Sequence, residues 1–127
     1  MRETITLGPF GLFFTNVNHA MHLPGHSHYA ELTLVYRNLG PVGFPAFAST
    51  YAPLQEHLKG LTKAPFRDAT NEDVARRLFA SLDGWTDPAI EEWHGQFRLD
   101  ELRLAVRGVL DAIGHADGYT TYTVARE

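Results

Sequence analysis

Hydrophobic and polar residues alternate along two stretches in the first third of the chain, 3–8 and 28–39, which is the pattern of half-buried β-strands. The stretch 11–17 between them is a further strand candidate because it is rich in aromatic residues. Two of these stretches, 3–8 and 11–17, are separated by Gly8-Pro9, a dipeptide typical of turns. The third stretch, 28–39, alternates most regularly and places three apolar residues on one face: Leu32, Leu34 and Tyr36. The start of the chain therefore predicts three strands.

The apolar spacing changes to every third or fourth residue in the middle of the chain, which is typical of amphipathic helices. It predicts helices near 53–60, 71–83 and 99–113. Pro53 suits the first turn of the first helix, because proline lacks the N–H that a first turn leaves unpaired. Thr70 is the predicted cap of the second helix, and acidic residues follow it in the first turn.

A β-branched and aromatic stretch at 119–124 predicts a closing strand, so the predicted order is β-β-β-α-α-α-β. Because strands and helices are segregated along the chain, we expect an α+β fold in which an antiparallel sheet carries its helices on one face. The 127 residues have the size of one domain, spanning 1–127. Three large aromatic residues are expected in the core: Trp85, Trp93 and Phe97.

Composition excludes several classes of function. The chain has no cysteine, which removes disulfides, thiolate ligands and a cysteine nucleophile. Its net charge of -4 argues against nucleic acid as a partner, because nonspecific binding depends on Lys and Arg contacts to phosphate. No apolar run approaches the roughly 20 residues that span a bilayer, so no membrane partner is expected. The first residues lack the apolar core of a signal peptide, and we expect a cytoplasmic protein.

Four of the seven histidines lie close together between the second and third predicted strands: His19, His22, His26 and His28. Residues two apart on a strand point the same way, so His26 and His28 can direct two imidazoles at one ion. His19, at the end of the preceding strand, can fold back to supply a third ligand. Three protein ligands with one open position are typical of catalytic zinc, although imidazole also suits copper, iron and nickel.

The same histidines also fit a surface loop without a metal. Within the metal interpretation, His22 is predicted to be a neighbour of the ion rather than a ligand. Glu31 is another candidate ligand by residue type, but strand alternation turns it away from the face of His28. The remaining histidines are scattered singly and are expected at ordinary surface or interface positions: His57, His94 and His115.

Two motifs in the first two thirds of the chain have the order found in a known enzyme family. In the first, a strand containing Phe14 leads to His19, and the run Gly25-His26-Ser27-His28 then precedes an apolar strand. In the second, the run from Ala69 to Ala75 begins a helix. Together these motifs resemble the 6-pyruvoyl- and 6-carboxy-tetrahydropterin synthase family.

The resemblance implies a tunnelling fold, whose subunits form rings with sites between them, and hence a homo-oligomer with a small-molecule substrate. It also implies a zinc-dependent pterin-type lyase in which His19, His26 and His28 are the zinc ligands. The family's usual cysteine falls on His22, which becomes the candidate catalytic base because imidazole titrates near neutrality.

The chain also departs from the family pattern. The family's Asp-His relay has no counterpart, and its substrate-anchoring glutamate has only Glu127 as a candidate. The family continues with strands where a helix is predicted at 99–113. A divergent relative that keeps the histidine metal site without the full catalytic set is therefore included in the prediction.

Two other classes of protein remain open. The stretch from Leu23 to Leu32 resembles the His-x-His-x-x-x-Glu motif of cupin barrels, one residue short, which would make the chain a metal-dependent small-molecule binding module. A cupin needs more strands than the pattern predicts. The alternative is a non-enzymatic interaction protein of a phage, immunity or assembly type, with Trp85 and Trp93 as candidate interface residues.

Overall fold

The computed structural model describes residues 3–17, 26–40, 47–85, 97–108 and 118–127, without the side chains of 26 and 47–50. These residues form five strands and two helices: β1 (Glu3–Val17), β2 (His26–Asn38), α1 (Phe47–Thr62), β3 (Phe66–Arg67), α2 (Asn71–Leu82), β4 (Phe97–Arg107) and β5 (Tyr119–Ala125). The α+β class and the closing strand are confirmed, whereas the predicted order of elements is wrong in its first strands and its last helix.

All five strands belong to one sheet in the order β3-β1-β2-β4-β5. The long strands β1, β2, β4 and β5 pair antiparallel with their neighbours, while the short β3 runs parallel to β1 beside Asn16 and Val17. The sheet is therefore mixed rather than purely antiparallel. The cause is the connection between the two helices, which returns to the β1 edge and adds two residues there.

One face of the sheet is buried under both helices. Along β2 every second residue is buried, as the alternation predicted: Leu32, Leu34 and Tyr36. Leu58 of α1 and Leu78 of α2 belong to the same buried cluster, so the two helices cover the same face. Apolar burial, worth about 25 cal/mol per Å², favours this arrangement. The opposite face, called the helix-free face below, carries the alternate β2 residues from Tyr29 to Arg37.

The predicted second helix is confirmed as α2, capped by Thr70. The Thr70 hydroxyl accepts a hydrogen bond from the Asp73 N–H at 3.2 Å, and the Asp73 carboxylate accepts one from the Thr70 N–H at 3.0 Å. This capping box satisfies two N–H groups at the helix start.

The first helix begins at Phe47, so the prediction that Pro53 lies in its first turn is wrong. Neither described helix combines the length and hydrophobicity needed to cross a bilayer.

The helix predicted at 99–113 is wrong over its described part, because residues 97–107 form β4. The register between β2 and β4 shifts at Asp100, which is the extra residue of a bulge. Leu99 and Leu102 are therefore both buried although they are three residues apart. This gap of three within a strand imitates helical spacing. Residues 109–113 lie outside the described part of the chain.

The strands predicted at 3–8 and 11–17 are one continuous strand, β1, with a bulge at Gly8-Pro9 in place of a turn. Pairing with β2 continues on both sides of this bulge. Gly8 has a φ of +123°, and the Gly8–Pro9 peptide bond is cis. A Cβ on Gly8 would lie 2.6 Å from the carbonyl oxygen of Leu32, so only glycine fits without backbone movement.

The Gly8→Ala variant is expected to destabilise the protein by about 1–3 kcal/mol, because alanine meets both an unfavourable φ and the β2 backbone. Gly60→Ala is the matched control, since a Cβ on Gly60 in α1 would meet no atom within 4 Å. There alanine is expected to stabilise by about 0.5–1 kcal/mol. Urea unfolding measures both changes, and an unchanged midpoint for Gly8→Ala would contradict this account of the bulge.

Candidate functional site

The histidine-rich segment joins the first two strands of the sheet. β1 ends at Val17, shortly before His19, and β2 begins at His26, which lies opposite Asn16 in the β1–β2 register. His19 and His22 lie outside the described residues, and of His26 only the backbone is described. The predicted ligand set therefore stays a prediction, attached to one end of the sheet.

His28 is the one predicted ligand whose side chain is described. It lies opposite Phe14 in the register and is half-buried on the face covered by the helices. Its ring centroid lies 5.3 Å from that of Phe14, which in turn packs edge-on against Phe66 at 6.2 Å. The Nδ1 atom of His28 is buried. This packing restricts the imidazole rotamer, and a metal ligand benefits from such restriction.

Polar contacts hold the same end of the sheet in place. The Asn16 side chain donates a hydrogen bond to the Asn71 side chain at 2.8 Å, which ties β1 to the first residue of α2. The Thr15 and Ser27 hydroxyls are 2.9 Å apart across β1 and β2. The strand ends that flank the histidine segment are therefore fixed relative to each other and to α2.

Among the described side chains, no group of three or more histidine or acidic residues is placed to hold a metal ion. His19, His22 and the side chain of His26 lie outside the described residues, so the predicted set of His19, His26 and His28 stays a prediction. Glu31 pairs with Gly11 and Ala105 and lies on the helix-free face, away from the face of His28, as strand alternation predicted.

An aromatic cluster on the helix-free face was not predicted. Phe13 is 72% exposed and Tyr119 is 49% exposed. The Phe13 and Tyr29 ring centroids lie 5.2 Å apart, and the Tyr119 hydroxyl lies 3.5 Å from a Glu31 carboxylate oxygen. Partial desolvation and this carboxylate raise the pKa of Tyr119. The sequence predicts an exposed Phe13 only if successive residues of the strand point to opposite faces, so that Phe13 is exposed where Phe14 is buried.

His57, predicted at an ordinary surface or interface position, is half-buried, and its ring stacks on Trp85 with centroids 4.4 Å apart and an interplanar angle of 7°. Its Nε2 atom is buried and makes no hydrogen bond within the described part of the chain. Burial lowers the pKa of His57.

Trp85 and Phe97 pack in the core as predicted. Three further predictions concern residues outside the described ranges: Trp93, His94 and His115.

A second polar cluster lies at the other end of the sheet. Tyr36 is 2% exposed, and burial together with the Asp83 carboxylate raises the pKa of its hydroxyl. Arg126 forms an ion pair with Asp83, donates to the Leu99 carbonyl at 3.1 Å and lies over the Phe79 ring. These contacts tie the residue after β5 to the end of α2, which is a structural role.

The His57→Phe variant tests the burial of His57, because phenylalanine keeps a ring beside Trp85 but cannot take up a proton. The folded-state pKa of His57 lies below the unfolded value of about 6.5, so the unfolded state binds the proton first as the pH falls. The wild-type protein is therefore expected to lose more stability than His57→Phe between about pH 7.5 and about pH 5.5.

Urea unfolding at several pH values measures this difference. At higher pH the histidine is neutral in both states, so the two stability curves are expected to run parallel there. Curves that stay parallel down to about pH 5.5 would show that His57 is as accessible to protons in the folded state as in the unfolded state.

Comparisons with family models, with curated proteins and with solved structures found no match to this chain. Function is therefore inferred from the residues of the chain and from where the fold places them.

Proposed function

We propose that this protein is a metal-binding relative of the 6-pyruvoyl- and 6-carboxy-tetrahydropterin synthases, with zinc bound by His19, His26 and His28. One observation carries the proposal: the histidine segment joins the adjacent strands β1 and β2, and its one described side chain, His28, is held at the sheet end. Chain connectivity supports the proposal, because His19 follows the end of β1 by two residues and β1 ends beside the start of β2.

The corrected secondary structure also supports the resemblance. A helix at 99–113 would have departed from the family, which continues with strands after its helices. The chain instead continues with β4 and β5, so two strands, two helices and two strands follow one another, with the short β3 between the helices. We therefore propose a tunnelling-type fold and, with it, a homo-oligomer acting on a small-molecule substrate.

The donor set fits a zinc ion, because neutral imidazoles are zinc's commonest nitrogen ligands and three of them leave one position open. When bound, such an ion polarises a carbonyl or lowers the pKa of a bound water. We propose His22 as the base of a lyase-type proton abstraction, since its imidazole can take up a proton near neutral pH. Without the family's cysteine and Asp-His relay, the chain's own catalytic set reduces to this histidine.

The second candidate is a non-enzymatic interaction protein. The exposed aromatic side chains Phe13 and Tyr119 on the helix-free face favour it, because aromatic residues are enriched at interface hot spots. Trp85, an earlier candidate for such an interface, is instead stacked on His57. A cupin-like binding module is not favoured, since the described part of the chain forms one five-stranded sheet with two helices rather than a barrel.

The metal content of tag-free protein tests the main proposal. About one zinc per chain is expected in the wild-type protein, and His26→Ala and His28→Ala are each expected to remove most of it, because a site with two remaining ligands binds zinc weakly. Elemental analysis after dialysis against a mild chelator gives the stoichiometry. His57→Ala is the matched control and is expected to keep the zinc.

Circular dichroism of each variant separates loss of metal from loss of fold. A folded His28→Ala protein that retains the wild-type zinc content would overturn the proposed ligand set. Wild-type protein without bound metal, together with a partner whose binding is lost in Phe13→Ser, would favour the interaction protein.

A further inference from the structure

Other parts of the chain contact the β1 edge of the sheet between Gly11 and Val17. Beyond the bulge, the odd-numbered residues of β1 direct their backbone groups outwards. The Val17 carbonyl accepts a hydrogen bond from the Ala69 N–H at 2.9 Å, and the Gly11 carbonyl accepts one from the Gln55 side chain at 3.0 Å. Pro9 has no N–H to offer, and its bulge interrupts the line of the edge. These contacts occupy two of the outward backbone groups of β1, and the bulge interrupts the line of the remaining ones.

The opposite edge is formed by β5, and in the described part of the chain no strand pairs with its outer side. The Arg126 N–H donates to the Asp100 carbonyl and the Gly118 carbonyl accepts from the Gly108 N–H, both at 2.7 Å, so even-numbered residues face β4. Backbone groups alternate along a strand, so the odd-numbered residues face outwards. Their N–H and C=O groups form the free edge: Tyr119, Thr121, Thr123 and Ala125.

The β5 edge lacks the features that normally prevent strand pairing between molecules. Natural edge strands are protected by lysine, proline, inward-pointing charges or bulges. The seven residues of β5, from Tyr119 to Ala125, include no proline and no charged residue. Its register with β4 also runs without a shift from Arg107 to Glu101. An uncharged strand of this length without a bulge is a template for another strand.

A groove of about 290 Å³ runs between α2 and this edge. Ala75 of α2 and Tyr122 and Val124 of β5 line it, and the two β5 side chains are only partly buried although they pack against the core. Glu72 and Arg76 lie on the α2 side of the groove. One acidic and one basic residue leave no net charge there to repel a second copy of the chain.

We propose that β5 pairs antiparallel with β5 of a second copy of this chain, across a two-fold axis through Tyr122. The strand suits this pairing, because Thr121 then lies opposite Thr123 of the other copy and both direct their backbone groups at each other. The two Tyr122 residues form a non-hydrogen-bonded pair, in which side chains approach most closely. The same patch serves both copies, which is the commonest symmetry of homo-oligomers. The interface does not depend on a bound metal.

The oligomeric state of the full-length, tag-free chain tests this interface. Sedimentation over a range of concentrations is expected to show a species of twice the chain's mass. Thr123→Pro removes an outward N–H and leaves the β4–β5 ladder intact, so it is expected to raise the dimer dissociation constant about tenfold or more. Thr123→Ala keeps that N–H and is the matched control, with a dissociation constant expected within about threefold of wild type.

Cysteine cross-linking gives a second test that does not depend on the proline variant folding. The chain has no cysteine of its own, so Thr121→Cys and Thr123→Cys each carry a single thiol. Opposed residues of a hydrogen-bonded pair have Cα atoms about 5.5 Å apart, which a disulfide can span. A mixture of the two variants is expected to form the mixed disulfide in preference to either self-linked product.

Thr6→Cys, on the exposed part of β1, is the control and is expected to remain unlinked. A chain that sediments as a monomer at every concentration would overturn the interface. So would efficient cross-linking through Thr6→Cys with none through β5. Sedimentation and cross-linking both depend on pairing through β5 alone, so the outcome of the metal analysis does not affect them.

Discussion

Burial of one sheet face beneath α1 and α2 is the constraint on which the rest of this structure depends. It requires that apolar residues return to the same face along every long strand, and a shift of one residue would turn all later side chains to the opposite face. Both bulges satisfy this requirement. Leu7 and Phe10 flank the first, Leu99 and Leu102 flank the second, and all four are buried despite the extra residue between them.

The same bulges explain how far the fold could be predicted. β2, α2 and β5 follow a single uninterrupted period, and their positions were predicted within a few residues. The sequence of β4 predicts a helix because Asp100 adds a residue and converts a spacing of two into a spacing of three. The sequence of β1 predicts two strands because Gly8-Pro9 has the composition of a turn. Local composition does not reveal whether pairing with a neighbouring strand continues beyond such a site.

Of the predicted candidate site, the described residues test only the positions of His28 and Glu31 in β2. The alternation of β2 placed His28 at the start of a strand and turned Glu31 to the other face, and the fold agrees on both points. The contact between His57 and Trp85 joins α1 to the residues after α2, and no periodicity within either segment indicates it. The exposed position of Phe13 depends on the bulge upstream, which sets the phase of the alternation in β1.

The contacts at the β1 edge have a consequence for the order in which the protein is made. The Gln55 side chain that donates a hydrogen bond to the Gly11 carbonyl belongs to α1, which is synthesised after both β1 and β2. A nascent chain therefore carries a complete β-hairpin with an open outer edge until α1 has left the ribosome. We expect the β1 side of this hairpin to be open to pairing with other chains during that interval, whose length depends on how fast the residues between β2 and α1 are translated.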